Sequence, residues 1–534
     1  MQTAKRKRIA FYLFYAGLVL LVASLPLSKF MMSIAQFLIA GGWLLDGDVT
    51  DKFKRFFKSK IALVLASLYL LHLTGLIYTT DFNYAWKDLR IKLPLLLMPL
   101  LLSTAPRINQ LQFNGILLAL IGGVTISTVI SWLIFKGVVV RDVNDIRDIS
   151  IFISHIRLAL LCCLSFIAIV WLIYKNYRAS PRKYYFLLTP LLPWFVCFMI
   201  LIESLTGLVI LTVTSMVILN WLVFRYGGIT LRSAVVVVSL VIPFYAFVYV
   251  RSVNQTFIVQ EIKDLPEPGL MTASGNPYVH YADREEYENG NAIWNYICAK
   301  ELEQQWNTRS RLSYTGRDER NQELNVTLIR FLSSKGLRKD SAGIWSLTKQ
   351  EIRSVEMGIT NVDYQTPGNI TARIHQVLWE LQQYQKTGDP SGHSVAQRFE
   401  FWKAATGIIG KNKAFGVGTG DIPAAFREQY IEMNTRLRED WRLRAHNQYL
   451  SIAVTFGITG LILFLFSLAY PFYKQSRRGD LLFISFSIIS AMSMLTEDTL
   501  ETQAGVTFFA LFTSLFLFVN PNNPTAGVNL QKHN

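Results

Sequence analysis

Apolar runs close to the length of a bilayer crossing alternate with short polar breaks through the first 250 residues, stop for some two hundred residues, and resume after residue 448. A helix needs roughly 17–25 apolar residues to cross the hydrocarbon core. Runs approaching that length are read at 9–27, 30–45, 61–79, 92–104, 113–135, 151–174, 185–202, 206–224, 233–250, 449–470, 481–496 and 504–519. The pattern predicts an all-α polytopic membrane protein with about twelve transmembrane helices: an N-terminal bundle of nine spans (1–250), a large loop domain (251–448) between spans nine and ten, three C-terminal helices (449–519) and a tail (520–534). The first run is long, has no small-residue cleavage site and leads straight into another apolar run, so it is expected to stay in place as a span rather than act as a signal peptide.

Within the long polar segment the periodicity is helical. It opens with the loop-like GNPYVHYADREEYENG. Apolar residues then recur at helical spacing in 292–307 (Ile293, Tyr296, Ile297, Leu302), 324–335 (Leu324, Leu328, Phe331, Leu332) and 374–385 (Ile374, Val377, Leu378, Leu381). No alternating strand pattern of comparable length occurs, so the loop domain is expected to be mainly helical. Gly388-Asp389-Pro390-Ser391-Gly392 ends that part. After it, Phe399, Trp402, Thr406 and Ile409 share a face in 398–410, with Arg398 and Lys403 off it, as in a helix lying in the membrane interface. A glycine-rich turn, Gly416-Val-Gly418-Thr-Gly420, follows.

Half of the residues are apolar (51%) and only 17% are charged, which fits a membrane protein. The net charge of +16 does not point to nucleic acid, because much of the excess sits in short loops. Lys5-Arg6-Lys7-Arg8, then Lys52, Lys54, Arg55, Lys58 and Lys60, then Lys175, Arg178, Arg182 and Lys183, then Lys474, Arg477 and Arg478 all fall on one side of a twelve-span topology. The positive-inside rule makes that side cytoplasmic, with both termini, and puts 251–448 outside. These basic loops meet anionic headgroups, so membrane lipids are expected partners. Cys162, Cys163 and Cys197 lie in apolar runs and Cys298 alone lies in the loop domain, so no disulfide within that domain and no metal-ligand spacing is read.

The candidate chemistry gathers where the loop domain meets span ten. His446-Asn447 precedes an apolar run starting near Tyr449 and follows Arg436, Arg438, Arg442 and Arg444. An imidazole takes up and releases a proton near neutral pH, and beside fixed positive charge it suits chemistry on a phosphate-bearing lipid. Arg157, in Ser154-His155-Ile156-Arg157 at the outer end of span six, lies where an arginine is costly unless paired or wet. Glu497-Asp498 and Glu501, in a short external loop, either bind a sugar, orient His446 or face solvent. The glycines at 416, 418 and 420 let N–H groups converge on an anion, or equally make a tight turn. Arg398 is alternatively a headgroup anchor.

The R-x-x-x-W-x-x-A helix (Arg398, Trp402, Ala405), the glycine-rich turn, His446-Asn447 and, nine residues on, Gly457-x-x-Gly460, set in many spans with a large late loop, resemble the O-antigen ligase superfamily. That superfamily also contains O-antigen polymerases and bacterial O-linked oligosaccharyltransferases. The insert, with TLIRFLSSKGLRKD, is similar to one in Bacteroidota ligase-like proteins. Two departures stand out. Leu461 replaces a frequent threonine, and Glu203-Ser204-Leu205-Thr206-Gly207 lacks an arginine that many relatives carry there, for which Arg157 is the candidate substitute.

The resemblance implies a GT-C-like architecture in the bacterial inner membrane, with the active site on the periplasmic side. It implies transfer of a glycan from undecaprenyl diphosphate to an acceptor hydroxyl, most closely O-antigen ligation to lipid A–core, by an inverting displacement without metal or other cofactor. His446 would be the general base. Arg157, Arg398 and Arg444 would bind the diphosphate through their planar donor forks. Trp402, Gly416, Gly418, Gly420, Asn447 and Glu497 would be possible substrate contacts. A polymerase or protein O-oligosaccharyltransferase differs only in acceptor. A polyprenyl-glycan flippase or a non-catalytic scaffold would not consume the carrier-linked glycan.

Overall fold

The computed structural model describes residues 2–141, 143, 145–176, 186–258, 269–281, 284, 286–366, 368–476 and 479–521. Asp142, the topology-setting residues Arg178, Arg182, Lys183, Arg477 and Arg478, and nearly all of the 520–534 tail lie outside them.

Among the described residues, each of the twelve apolar runs overlaps a helix. Among the described residues, seven helices are long and apolar enough to cross a bilayer alone: Thr3–Ser24, Lys60–Tyr78, Gln110–Phe135, His155–Lys175, Leu205–Tyr226, Ile229–Asn254 and Gln448–Ser476. Lys29–Leu45 makes an eighth if joined to Val49–Lys58, from which it is bent by 109°. Leu191–Leu201, Leu481–Ser493 and Gln503–Val519 are shorter apolar helices. The run at 92–104 begins where one helix leads into another. Phe82–Lys92 leads through Leu93, which keeps helical backbone angles, into Pro94–Ser103. At 1.5 Å per residue the second reaches about 15 Å. Pro94 opens the second of these two helices, where its missing N–H has no intrahelical partner anyway.

The centre of the bundle is Gln503–Ser514, buried on every side from Ala504 to Ser514. A helix apolar all round is either enclosed by protein or faces lipid; this one is enclosed. Phe486, Phe508, Phe512 and Phe516 stack along it at 5.2–5.8 Å between ring centroids. Ile229–Ile258, in contrast, leaves most of its apolar residues uncovered by protein, as expected of a lipid-facing helix. At one end of the bundle Lys7 pairs with Asp48 at 3.1 Å, joining the first two basic segments.

The loop domain has its own apolar core of Ile293, Leu302, Trp306, Leu328, Phe331, Leu332, Ile344 and Val355. Two of its expected helices form as Leu324–Ser334 and Ile370–Thr387. The third begins later than its periodicity suggested, at Ala299–Arg309. Ahead of it, Tyr287–Glu288 pairs antiparallel with Asn291–Ala292. Asn289-Gly290 turns that hairpin with both φ positive, the conformation these two residues favour.

Ser394–Lys411 buries Phe401, Ala404, Ala405 and Ile408 against Ile422, Phe426, Tyr430 and Val454. Of the Phe399–Trp402–Thr406–Ile409 face read from the sequence, Trp402 and Ile409 also pack against this core. Phe399 and Thr406 are exposed, and small Ala404 and Ala405 set the close approach instead.

Candidate active site

His446 occupies the last turn of chain before the Gln448–Ser476 helix. It has left-handed backbone angles (φ 46°), unusual for a residue with a Cβ. Asp498 makes that conformation possible. Its carboxylate accepts the N–H of His446 at 3.0 Å, the N–H of Asn447 at 3.1 Å and the hydroxyl of Ser451 at 2.6 Å. The imidazole is half-buried, with the Phe401 ring centroid 5.6 Å away.

Asn447 caps the helix: its side-chain oxygen accepts the N–H of Leu450 at 3.1 Å, and its amide donates to the Leu495 carbonyl at 3.0 Å. Trp402 donates its indole N–H to the Ala445 carbonyl at 3.0 Å. The polar groups of both residues thus hold the His446 turn in place.

Two arginines and the imidazole all act on Glu497. Glu497 faces Arg398 at 3.6 Å and lies within electrostatic reach of His446 and Arg157 as well. Burial pushes the Glu497 carboxyl above its usual range, against the pull of these three groups. Arg398 also donates to the Thr496 carbonyl at 3.4 Å, and its buried Nε has no partner in the protein.

Arg444 stands apart from this group. It pairs with Glu501 at 2.6 Å, and Lys92 reaches the same carboxylate oxygen at 2.9 Å and Asp88 at 2.6 Å. Burial would raise Glu501, but Lys92 and Arg444 reverse this and hold its carboxyl well below the usual range. Gln448 completes the knot, donating to Glu501 at 3.2 Å and accepting the N–H of Leu500 at 2.6 Å. Arg444 is therefore committed to an ion cluster that ties the His446 turn to the 494–502 loop.

The glycine-rich turn is built into the scaffold too. The N–H groups of Gly416, Val417, Gly418 and Thr419 donate to the carbonyls of Asn412, Val454, Thr455 and Gly75, and that of Gly420 donates to the Thr79 hydroxyl. No N–H in the turn is left for an anion, so of the two readings the tight structural turn is the one realised. Its partner is the break at Gly457, where the long helix takes φ 65°, ψ −165°. There Ile458 donates to the Lys413 carbonyl at 2.8 Å. A Cβ on Gly457 would lie 2.4 Å from the Ala414 carbonyl carbon, and one on Gly416 equally close to that of Thr455. Both glycines are required by backbone-to-backbone contact.

The remaining basic residues before His446 disperse. Arg436 donates to the Thr387 carbonyl and Arg442 to that of Leu437. The Glu203–Gly207 turn, which lacks the arginine expected from the resemblance, faces two others that sequence reasoning did not single out as site residues, Arg373 from the loop domain and Arg147. Lys92 was also missed, although a lysine at the edge of an apolar run is itself a signal. Among the described residues no group of three or more His, Cys, Asp or Glu side chains is arranged to hold a metal ion.

A search of curated proteins gave no match to this chain. Residues 346–465 match the family described as O-antigen ligase. That stretch contains the Arg398–Trp402–Ala405 helix, the glycine-rich turn, His446 and the Gly457 break, and the match over it supports the likeness to the O-antigen ligase superfamily.

Proposed function

We propose that the protein is an inner-membrane glycosyltransferase that moves a glycan from undecaprenyl diphosphate to an acceptor hydroxyl at the periplasmic face, with lipid A–core as the acceptor. The observation that carries this reading is the convergence on Glu497 of Arg157, Arg398 and a half-buried imidazole whose backbone is clamped by Asp498. The donor's anomeric carbon already bears a good leaving group. The chain must therefore activate a hydroxyl and stabilise the departing diphosphate. His446 accepts the hydroxyl proton, a contribution of about 10²–10⁴-fold for a well-placed base. Arg157 and Arg398 offer forked donors to phosphate oxygens, and Glu497 balances their charge until the diphosphate arrives. Attack from the face opposite the leaving group inverts the anomeric centre.

His446→Asn is the variant of choice, because asparagine is at ease with the positive φ at this position. The carrier-linked glycan pool and the lipopolysaccharide of cells carrying it are compared with wild type. Long polymerised chains accumulating on the carrier, with bare lipid A–core, support the ligase. Single repeat units accumulating there, with core bearing at most one repeat, convert the reading to a polymerase. An unchanged pool with normal lipopolysaccharide sinks it.

A further inference from the structure

A cavity of about 970 Å³ opens between the loop domain and the outer end of the N-terminal bundle. Seven arginines and four carboxylates line it. Several of these arginines have carboxylate partners. Arg147 is held in a fork by Asp145 at 2.8 and 2.6 Å, and Arg330 by Glu288 at 2.7 and 2.5 Å. Arg373 differs. It donates to the side chain of Gln376 at 2.6 Å, and among the described residues no carboxylate stands within ion-pair distance of it. Burial and the nearby Arg147 both disfavour its charge, and together they outweigh the pull of Glu380, Glu203 and Asp145. An anion placed between the two would relieve that cost.

A second, independent sign comes from polar atoms without partners. Gln365 Nε2, Trp379 Nε1 and Glu380 Oε2 are buried and make no hydrogen bond among the described residues, and all three residues line the cavity. Buried donors and acceptors are seldom left unpaired in folded proteins, and an absent ligand is a standard reason when they are. Two donors and one acceptor suit the hydroxyls of a sugar. The rings of Tyr364 and Trp441, also in the lining, give the flat apolar surface that such pockets combine with a few polar groups.

The cavity adjoins the His446 site. Glu380 lies within electrostatic reach of Arg373, Arg147 and Arg398, and Arg398 in turn faces Glu497. We propose that this cavity seats part of the transferred or accepting glycan, and that Arg373 with Arg147 reads an acidic group on it, a carboxylate or a phosphate. The assignment rests on the transferase reading for what the sugar is doing there, but its test does not need turnover.

Full-length protein in lipid nanodiscs is titrated calorimetrically with hexagalacturonate (a carboxylated sugar), glucose 1-phosphate (a phosphorylated one) and neutral maltohexaose. At least one acidic probe is expected to bind ten times more tightly than maltohexaose, with affinity falling as salt rises. Arg373→Gln should weaken that probe at least tenfold, and Arg373→Lys, which keeps the charge and the fold, less. Which acidic probe binds tells carboxylate from phosphate. His446→Asn should bind it as wild type does. Equal binding of all three probes to wild type, or no effect of Arg373→Gln in a protein that melts normally, overturns the cavity assignment. A normal carrier-linked pool in His446→Asn cells instead overturns the transferase reading and leaves the titration result standing.

Discussion

Asp498 accepts the backbone N–H of His446 at 3.0 Å, so the imidazole is aimed by a carboxylate that holds its main chain and not its ring. The same carboxylate takes the next N–H, of Asn447, and the Ser451 hydroxyl. Three donors on one buried anion make a stiff support for a residue in left-handed conformation, and they offset the cost of burying Asp498, whose carboxyl burial pushes up. Asp498→Ala should therefore act through His446. The transfer rate is expected to fall about a hundredfold, the loss typical of a catalytic group misplaced by about 1 Å, with KM for the donor nearly unchanged. A rise in KM at unchanged kcat would move Asp498 from positioning to substrate binding.

Arg398 and Arg157 differ from Arg444 in what they face. Arg398 retains a buried Nε without a partner, whereas Arg444 is locked to Glu501. Replacing Arg398 or Arg157 by Lys keeps the charge and removes the fork, and should lower transfer by about 10–100-fold, the range for losing one or two hydrogen bonds to a charged group. Arg444→Lys should change transfer less, since an ammonium can still reach Glu501. The three variants are ranked by transfer to lipid A–core at equal protein level. Arg444→Lys proving the most damaging would reverse the assignment of the phosphate site.

The sequence made the helices legible because each apolar run is long and the bilayer demands little else of it. It could not show that Phe82–Lys92 leads through a single residue into Pro94–Ser103, because the first helix is amphipathic and carries Asp88 and Lys92, and Lys92 finds Glu501 only across 409 residues of chain. His446 and Arg398 could be picked out by motif. The purpose of the surrounding motif residues could not, since spacing alone does not separate a glycine that frees an N–H for a ligand from one that lets two backbones touch. Gly416 and Gly457 are the second kind. Arg373 carried no signal at all: it is one charged residue on a helix of the loop domain, and only the folded chain brings it opposite Arg147 and Glu203.

Gly457 offers a direct test of that contact. Its φ 65°, ψ −165° belongs to a region essentially reserved for glycine, and an added Cβ meets the backbone of Ala414 and Phe415. Gly457→Ala is expected to cost about 3 kcal/mol or more, read as loss of monodisperse protein on size exclusion after extraction from membranes. Gly410, with nothing within 4 Å of its would-be Cβ, should accept alanine without loss. Equal yields of the two variants would mean that the helix break is not fixed by the glycine-rich turn.

Glu501 should give the protein a characteristic response to acid. Its folded-state pKa lies below the ordinary carboxylate value of 4.5 because Lys92 and Arg444 overcome its burial. A depressed carboxylate stabilises the fold fully above its unfolded pKa, and that contribution fades as pH falls through the lower, folded value. Glu501→Gln leaves Lys92 with Asp88 alone and Arg444 without a carboxylate among the described residues, and breaking such a buried cluster costs about 3–5 kcal/mol. The melting temperature of the variant should thus lie well below that of wild type, by a constant margin down to about pH 5. The margin should narrow below that, as wild type loses what the variant never had. A margin that widened on acidification would mean that the Glu501 carboxylate is a burden on the fold at neutral pH, and the ion cluster would lose its role as the tie between the His446 turn and the 494–502 loop.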